Sequence, residues 1–286
     1  MVRLGVATRA ETFDRLGRIL ADFGIEVVHI EATGRAIPLT DRSAVVADPV
    51  PDVGYVFPPR TMEGTVVDAV LDIPWINDRA AVLTSRNKAA VLATLARAGL
   101  PVPRTTLLSN QLSEAALIET FDGLDPPVVV KPNSTTRGAG VVKVHDLDSF
   151  LGVADYLELL HSYPPTADKT YLVQEFRPAA SDYRAMVLEG TYVGAVRRHA
   201  GGDRWKHNVH RGAAATGVTL RPALRTLAER AATAVDIPFV GVDILDDGTD
   251  PVITETNARP TVDSVSKYEP DFPERLADII HRLSGG

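Results

Sequence analysis

The sequence predicts a mixed architecture, an α/β domain followed by two α+β segments. In the first 80 residues short apolar runs alternate with stretches of 3–4 apolar spacing, the signature of βαβ units. Farther on, paired apolar runs joined by short turns mix with single helices, as in α+β domains. The 286 residues, 45% hydrophobic and 23% charged, suffice for more than one buried core and exclude global disorder.

Val2–Ala7 reads as a strand. Phe13, Leu16, Leu20 and Phe23 recur at helical spacing, with Gly24 placed to end the helix, and Ile25–Ile30 returns to strand. Ala44–Ala47, Val53–Phe57 and Pro74–Ile76 complete a parallel sheet around a helix near Glu63–Leu71. Ser85 is a plausible N-cap for a helix Arg86–Ala98, which Gly99, Pro101 and Pro103 terminate. Strand Thr105–Leu108, helix Glu114–Phe121, strands Val128–Lys131 and Val141–Val144, and helix Ser149–His161 follow. Tyr163–Asp168 is a turn-rich connector. Beyond it come strands Tyr171–Phe176, Tyr183–Val187 and Tyr192–Arg197, an irregular loop Arg198–Gly217, and a helix Pro222–Val235. Strands Val240–Leu245 and Val252–Asn257 flank the turn Asp246–Asp250, and a helix near Pro273–Leu283 closes the chain. The domains expected are 1–84, 85–169 and 170–286.

Thirty Lys and Arg against 37 Asp and Glu leave a net charge of −7, which argues against a general nucleic-acid binder. The chain has no cysteine, so disulfides, thiolate nucleophiles and Cys-ligated metals are excluded, and the composition suits a reducing compartment. Stretches without a charged residue reach only 9 residues, as in Thr105–Ser113, too short for a membrane span. Charges at Arg3, Arg9, Glu11 and Asp14 interrupt any signal-peptide core, so a cytoplasmic location is expected.

Three constellations carry chemistry. Glu255 and Asn257, two apart on one strand, share a face, and Asp243 on the partner strand can point the same way. Two carboxylates and an amide oxygen suit a hard cation such as Mg²⁺; the same alternation also fits the solvated face of a half-buried strand. Lys131 ends an apolar run and is followed by a hydroxyl- and glycine-bearing stretch, Asn133–Gly140, able to present N–H groups and an ammonium to phosphate, or simply to turn a hairpin. It is neither a P-loop nor a dinucleotide fingerprint. Arg197, Arg198, Arg204, Lys206 and Arg211 place five cations against Asp203 in fifteen residues, which would focus a small anion such as ATP or a carboxylate. His199, His207 and His210 lack a carboxylate at metal-ligand spacing, and neither Gly-x-Ser-x-Gly nor His-Glu-x-x-His occurs.

With these residues in view the sequence resembles the ATP-grasp enzymes, and within them the RimK-type carboxylate–amine ligases. The matching segments are Asn77, Ser85-Arg86-Asn87-Lys88, Gly99–Thr105, Val128–Pro132, Arg137–Val141, Val173-Gln174-Glu175-Phe176, Asp182-Tyr183-Arg184, Asn208–Gly212, Gly241-Val242-Asp243 and Glu255–Pro260. No single one is diagnostic; their order over residues 77–260 is. Two departures stand out. Thr135-Thr136 replaces a Gly- or Ser-rich loop start, and the stretch before Asn208 is one residue longer than usual.

The resemblance implies an ATP-grasp fold, with an N-terminal α/β domain and two α+β lobes enclosing ATP. It implies that Lys88 and Lys131 touch the phosphates under a loop with Gly138 and Gly140. Glu175 and Phe176 would border the adenine, Asp182 would face the ribose, and Lys206, His207 and Asn208 would line the phosphate end. Asp243, Glu255 and Asn257 would hold Mg²⁺, with Mn²⁺ as a substitute. Arg184, Arg198 and Arg211 would grip the substrate carboxylate and its phosphorylated form. The reaction implied is amide formation through an acyl phosphate, with an amino acid such as glutamate. The partners implied are small carboxylate and amine substrates or a peptide or protein tail, with no nucleic acid or membrane; a homo-oligomer is compatible with all this. Three other activities remain open at this point: an ATP-grasp kinase, a carrier-protein ligase of the lysine and arginine biosynthesis type, and a nucleotide-binding module without chemistry.

Overall fold

The computed structural model describes all residues except 8–10, 35, 41–48, 110, 136–138, 162–168, 179–180, 200–213, 261, 263 and 286. Its N-terminal sheet is parallel, in the order β2-β1-β3-β4, from β1 (Val2–Val6), β2 (Ile25–His29), β3 (Val53–Val56) and β4 (Trp75–Asn77). Helices α1 (Glu11–Leu20) and α2 (Thr61–Leu71) cover it. Leu16 and Leu20, one turn apart, are fully buried, and Gly24 at φ +69° ends the following turn in the left-handed conformation that glycine adopts without steric cost. The strand expected at Ala44–Ala47 lies outside the described residues. β2 and β3 flank β1 on opposite sides, so the sheet has a switch point at the carboxyl ends of β1 and β3, where α/β sheets open a crevice.

The single helix expected over Arg86–Ala98 is two helices, α3 (Arg79–Arg86) and α4 (Lys88–Arg97). Their caps are Asp78, whose Oδ1 accepts the Ala81 N–H at 2.8 Å, and Asn87, whose Oδ1 accepts the Ala90 N–H at 3.1 Å. Ser85 is therefore no cap. It is buried in the last turn of α3, where its hydroxyl donates to Thr256 O and accepts the Ala258 N–H, each at 2.9 Å. Gly99, at φ +68°, lets the Leu100 N–H reach Leu95 O at 3.0 Å and close α4.

A second, antiparallel sheet runs β5-β8-β6-β7, from β5 (Thr105–Ser109), β6 (Val128–Pro132), β7 (Val142–Val144) and β8 (Thr170–Glu175). One face (Leu108, Val128, Val130, Val144, Tyr171, Val173) forms a separate core with α5 (Glu114–Asp122) and α6 (Leu147–His161), centred on Phe121 stacked on Phe150 at 5.3 Å. Expected to open the third segment, β8 instead pairs with both β5 and β6. The connector at 163–168 lies outside the described residues.

The third sheet is antiparallel, β11-β10-β9-β12-β13, from β9 (Ser181–Leu188), β10 (Thr191–His199), β11 (Ala214–Gly217), β12 (Phe239–Asp246) and β13 (Val252–Asn257). Both ends of the stretch expected as irregular loop are strand: Arg198 and His199 finish β10, and Ala214–Gly217 pair back onto it. Ala185, Val187, Val240, Val242 and Ile244 pack against α7 (Pro222–Val235) and share one core with the N-terminal sheet, α3, α4 and α8 (Phe272–Leu283). Gly194 in β10 is obligatory, because a Cβ there would lie 2.4 Å from the Lys267 carbonyl oxygen. Among the described residues no helix is long and apolar enough to cross a membrane.

Candidate active site

Strand alternation divides the third sheet into an apolar face on α7 and a polar face. On the polar face Asp182 and Arg184 stand two apart on β9. Their register partners are Arg198 on β10 and Asp243 on β12, and Glu255 on β13 lies opposite Asp243. The hairpin geometry read from the sequence thus brings Asp243 and Glu255 side by side, with Asn257 two residues on.

Asp243 is the centre of this face and only 1% exposed. Arg184 donates to it bidentately, Nε to Oδ1 at 2.6 Å and Nη2 to Oδ2 at 2.8 Å, and Arg198 Nη1 is 3.0 Å from Oδ2. Arg198 Nε also donates to Asp182 Oδ1 at 3.1 Å. Burial alone would push the Asp243 carboxyl up; the two guanidiniums outweigh it and hold Asp243 well below the usual carboxylate range. Glu255 shifts the opposite way, pushed up first by burial and then by the Asp243 charge. Gly241, on the same face, leaves the groove that the Arg184 stem occupies: a Cβ there would sit 3.1 Å from Arg184 Cδ.

Lys131 stands on the face of the second sheet away from its α5/α6 core. Lys131 and Lys88 both act electrostatically on Glu255, which places the two lysines opposite the acidic pair. Lys131 is buried on β6, and its Nζ donates to Gln174 Oε1 at 3.0 Å. Gln174 Nε2 in turn donates to Thr105 Oγ1 at 2.8 Å, which orients the amide. Burial pulls the Lys131 ammonium down to about 8; Glu255 and Asp243 oppose that shift and Lys88 adds to it. Lys88 Nζ donates to Asn133 O at 3.2 Å and to Thr135 O, holding the start of the loop that was expected to cradle phosphate. Asn133 locks that start to α4 and β8: its Oδ1 accepts the Ala89 N–H at 2.9 Å and its Nδ2 donates to Thr170 Oγ1 at 3.1 Å. Gly140, at φ +74°, closes the loop against Pro132, whose Cγ lies 2.8 Å from where a Cβ would be.

Glu175 ends β8, with Oε2 3.2 Å from Arg104 Nε, and Lys143 Nζ lies 4.7 Å above the Phe176 ring. Gly138, Lys206, His207, Asn208 and Arg211 lie outside the described residues. Arg184 and Arg198, expected on a substrate carboxylate, are engaged with Asp243 and Asp182. Gln174 and Gly241 entered the sequence reading only as members of matching segments, and Asn133 only as the start of the stretch Asn133–Gly140; the contacts by which they hold the site together depend on register and on chain segments far apart.

The donor set fits a divalent hard cation. Glu255 has its proton affinity raised by burial and by the neighbouring Asp243 charge, which a cation between the two would relieve, and Asn257 adds an amide oxygen that also accepts the Arg259 N–H at 2.9 Å. Among the described residues no third carboxylate or histidine joins them, which leaves coordination positions for water and phosphate oxygens.

Residues 85–280 match the model of the RimK-like ATP-grasp domain. A probable alpha-L-glutamate ligase of Maridesulfovibrio salexigens is 30% identical over 210 residues, 72% of this chain and 67% of that protein. The chain spans 61–67% of the length of the first curated relatives it matches. The D-cycloserine synthetase DcsG superposes with a TM-score of 0.74 at 18% identity, covering 99% of this chain and 100% of its own. The ATP-grasp ligase PsnB, complexed with minimal precursor, Mg and ADP, does so at 0.68 and 16%, covering 99% and 97%. At such identities these two likenesses speak for the fold, which is ATP-grasp. Two adjacent carboxylates under the influence of two buried lysines, a domain match over 85–280 and a 30% identical relative agree on one conclusion: the chain belongs to the RimK-like ATP-grasp family, a family of ATP- and Mg²⁺-using carboxylate–amine ligases.

Proposed function

We propose that this chain activates a carboxylate with ATP and joins it to an amine, releasing ADP and phosphate, with an amino acid such as glutamate among its substrates. The observation that carries the reading is the Asp243/Glu255/Asn257 oxygen set, on whose Glu255 the buried Lys131 and Lys88 both act electrostatically. In it, Asp243, Glu255 and Asn257 hold Mg²⁺, or Mn²⁺ in its place. Bound there, the cation supplies positive charge to phosphate oxygens. Lys88 and Lys131 meet the same phosphates, Gly138 and Gly140 let the loop between Lys131 and Val141 close over them, and Lys206, His207 and Asn208 line their far side. Glu175 and Phe176 border the adenine and Asp182 the ribose. Arg184 and Arg198 fix Asp243 and stand beside the reacting groups with Arg211.

A substrate carboxylate oxygen attacks the γ-phosphorus as the bond to ADP breaks, giving an acyl phosphate. The amine nitrogen then attacks the carbonyl carbon, phosphate leaves, and the nitrogen loses a proton. The chain's part is positioning, charge stabilisation and exclusion of water from the acyl phosphate. A glutamate substrate is supported by the relative's description, and a peptide substrate by the structural neighbour PsnB, which is seen complexed with a precursor peptide. The cysteine-free composition suits work in the cytoplasm.

The test is ADP release with Mg²⁺ over a matrix of carboxylates and amines, glutamate included. Sustained release is expected only when both partners are present. Release with the carboxylate alone would make the protein a kinase, and none with any pair would remove the ligase reading.

The buried Lys131 also predicts proton uptake. Its pKa of about 8 in the free protein must rise beside phosphate, so the ammonium is already formed below pH 8 and has to be regained above it. Nucleotide affinity is therefore expected to fall as pH rises from 8 to 9.5, with up to about one proton taken up on binding. Calorimetry in buffers of different ionisation enthalpy measures this; the uptake should vanish in Lys131→Met.

A further inference from the structure

An exposed strand edge is a row of unpaired N–H and C=O groups, and the sheets of this chain protect most of theirs. β2 carries the exposed charge of Glu26, and β7 is three residues long with Lys143 among them. β4, also three residues long, is tied to β12 through Asn77. β13 is occupied: the Ile253 N–H donates to Pro101 O at 2.9 Å, and Thr256 O accepts the Ser85 hydroxyl. β11 lies against the short helical turn Val265–Lys267, whose Lys267 Cα is 3.2 Å from where a Gly217 Cβ would be.

β5 has no such protection. Thr105–Ser109 hold neither charge nor proline and run opposite β8 in unbroken register. They open one of the longest uncharged stretches of the chain, Thr105–Ser113. The Glu175 N–H donates to Arg104 O at 2.9 Å, which sets the alternation along the strand. Arg104, Thr106 and Leu108 turn their main-chain groups toward β8, and Thr105, Leu107 and Ser109 turn theirs outward. No described residue hydrogen-bonds to these outward groups. Thr106, Leu107 and Ser109 are exposed, Leu107 at 47%.

An outward row of this kind is filled by another extended strand, and β5 fits its own copy. Antiparallel pairing about a two-fold axis at Leu107 sets Leu107 against Leu107 and Thr105 against Ser109, apolar on apolar and hydroxyl on hydroxyl, with no charge along the strand. Each outward N–H then meets an outward C=O, about six main-chain bonds in all. Copies that carry a net charge of −7 repel each other, and an uncharged edge is where that repulsion is least.

We infer that β5 is a self-association surface on which two copies of this chain pair edge to edge. The two four-stranded sheets become one sheet of eight, in the order β7-β6-β8-β5-β5-β8-β6-β7. A five-residue edge buries less than a standard interface, so the dimer is a weak one with a micromolar dissociation constant. The pairing goes beyond the ligase reading and uses none of the residues assigned to it.

The test is sedimentation of the full chain from about 2 to 200 µM, as wild type, Leu107→Lys and Ser109→Pro. Lysine is a residue that natural edges use against pairing, and proline at 109 removes an outward N–H without touching the ladder to β8. Wild type should pass from monomer to dimer over this range. Each variant should raise the dissociation constant at least about tenfold, while the melting temperature of the dilute protein holds. Because the chain has no cysteine, Leu107→Cys carries a single thiol. A short bis-maleimide should link it into a covalent dimer, whereas Met62→Cys, at a position 80% exposed on α2, should stay monomeric. A wild type that remains monomeric at the highest concentration overturns the proposal and leaves the edge to some other strand, such as a peptide's. A dimer that survives both edge variants, or equal cross-linking of the two cysteine variants, overturns it as well.

Discussion

Asp243→Asn should lower ADP release by about a thousandfold, the scale of removing a preorganised charge from a phosphoryl-transfer site. The protein should also lose roughly 3–5 kcal/mol of stability, because Arg184 and Arg198 keep their positions on the polar face without the buried carboxylate they share. Glu255→Gln separates the two effects. The Glu255 carboxyl is pushed up by burial and by Asp243, so its ionised form is disfavoured beside that charge. The amide removes that repulsion, and the melting temperature should hold or rise while ADP release still collapses. Thermal denaturation and an ADP-release assay on both variants decide the matter. Wild-type activity in Glu255→Gln, or unchanged stability in Asp243→Asn, would contradict this account of the site.

Asn77 carries the second large expectation. Its side chain is fully buried and joins three backbone groups: Nδ2 donates to Phe239 O at 2.6 Å and Ala258 O at 2.7 Å, and Oδ1 accepts the Phe239 N–H at 3.0 Å. These bonds fasten β4 of the N-terminal sheet to β12 and to the segment leaving β13. Asn77→Ala strands all three groups and opens a cavity, at a cost of about 4 kcal/mol, or roughly 10 °C in melting temperature. Asn77→Asp should be worse at neutral pH, since a carboxylate would face two carbonyl oxygens. Its folded-state pKa is raised, so the protonated form is favoured by folding, and the variant should regain stability as pH falls and lose it as pH rises. Melting curves for both variants from pH 5 to 8 test this. A shift under about 2 °C in Asn77→Ala would mean that the domain junction is held elsewhere.

Much of the architecture was legible because local signals agreed. The βαβ periodicity of the first 80 residues, Gly24 and Gly99 at helix ends, and the Asp246–Asp250 turn are all set by residues close in sequence. The shared face of Asp243, Glu255 and Asn257 was legible for the same reason: a hairpin with a tight turn has few registers, and two-residue alternation decides which side chains share a face. The reading failed where the answer depended on distant partners. Ser85 has the composition of an N-cap, but Asp78 and Asn87 sit where the helices start, and Ser85 is drawn to the backbone of β13. Strand β8 follows a connector, yet its hydrogen bonds go back to β5 and β6. The pairing of Arg184 with Asp243 and of Arg198 with Asp182 likewise depends on register across three strands and could not be read locally.

From residue types and spacing came the mixed α/β and α+β architecture, the oxygen-donor set on the last hairpin and the strand-end Lys131; the ATP-grasp fold came from the resemblance that the ordered motifs carry. Tertiary structure alone decided that Lys131 leans on Gln174, that Asn133 is fastened to the start of α4, that Asn77 pins the N-terminal sheet to the third sheet, and that Arg259 has no counter-ion among the described residues. The division has a physical cause. Periodicity and turn chemistry act over a few residues, whereas desolvation and charge pairing depend on groups that come together only after the chain has folded.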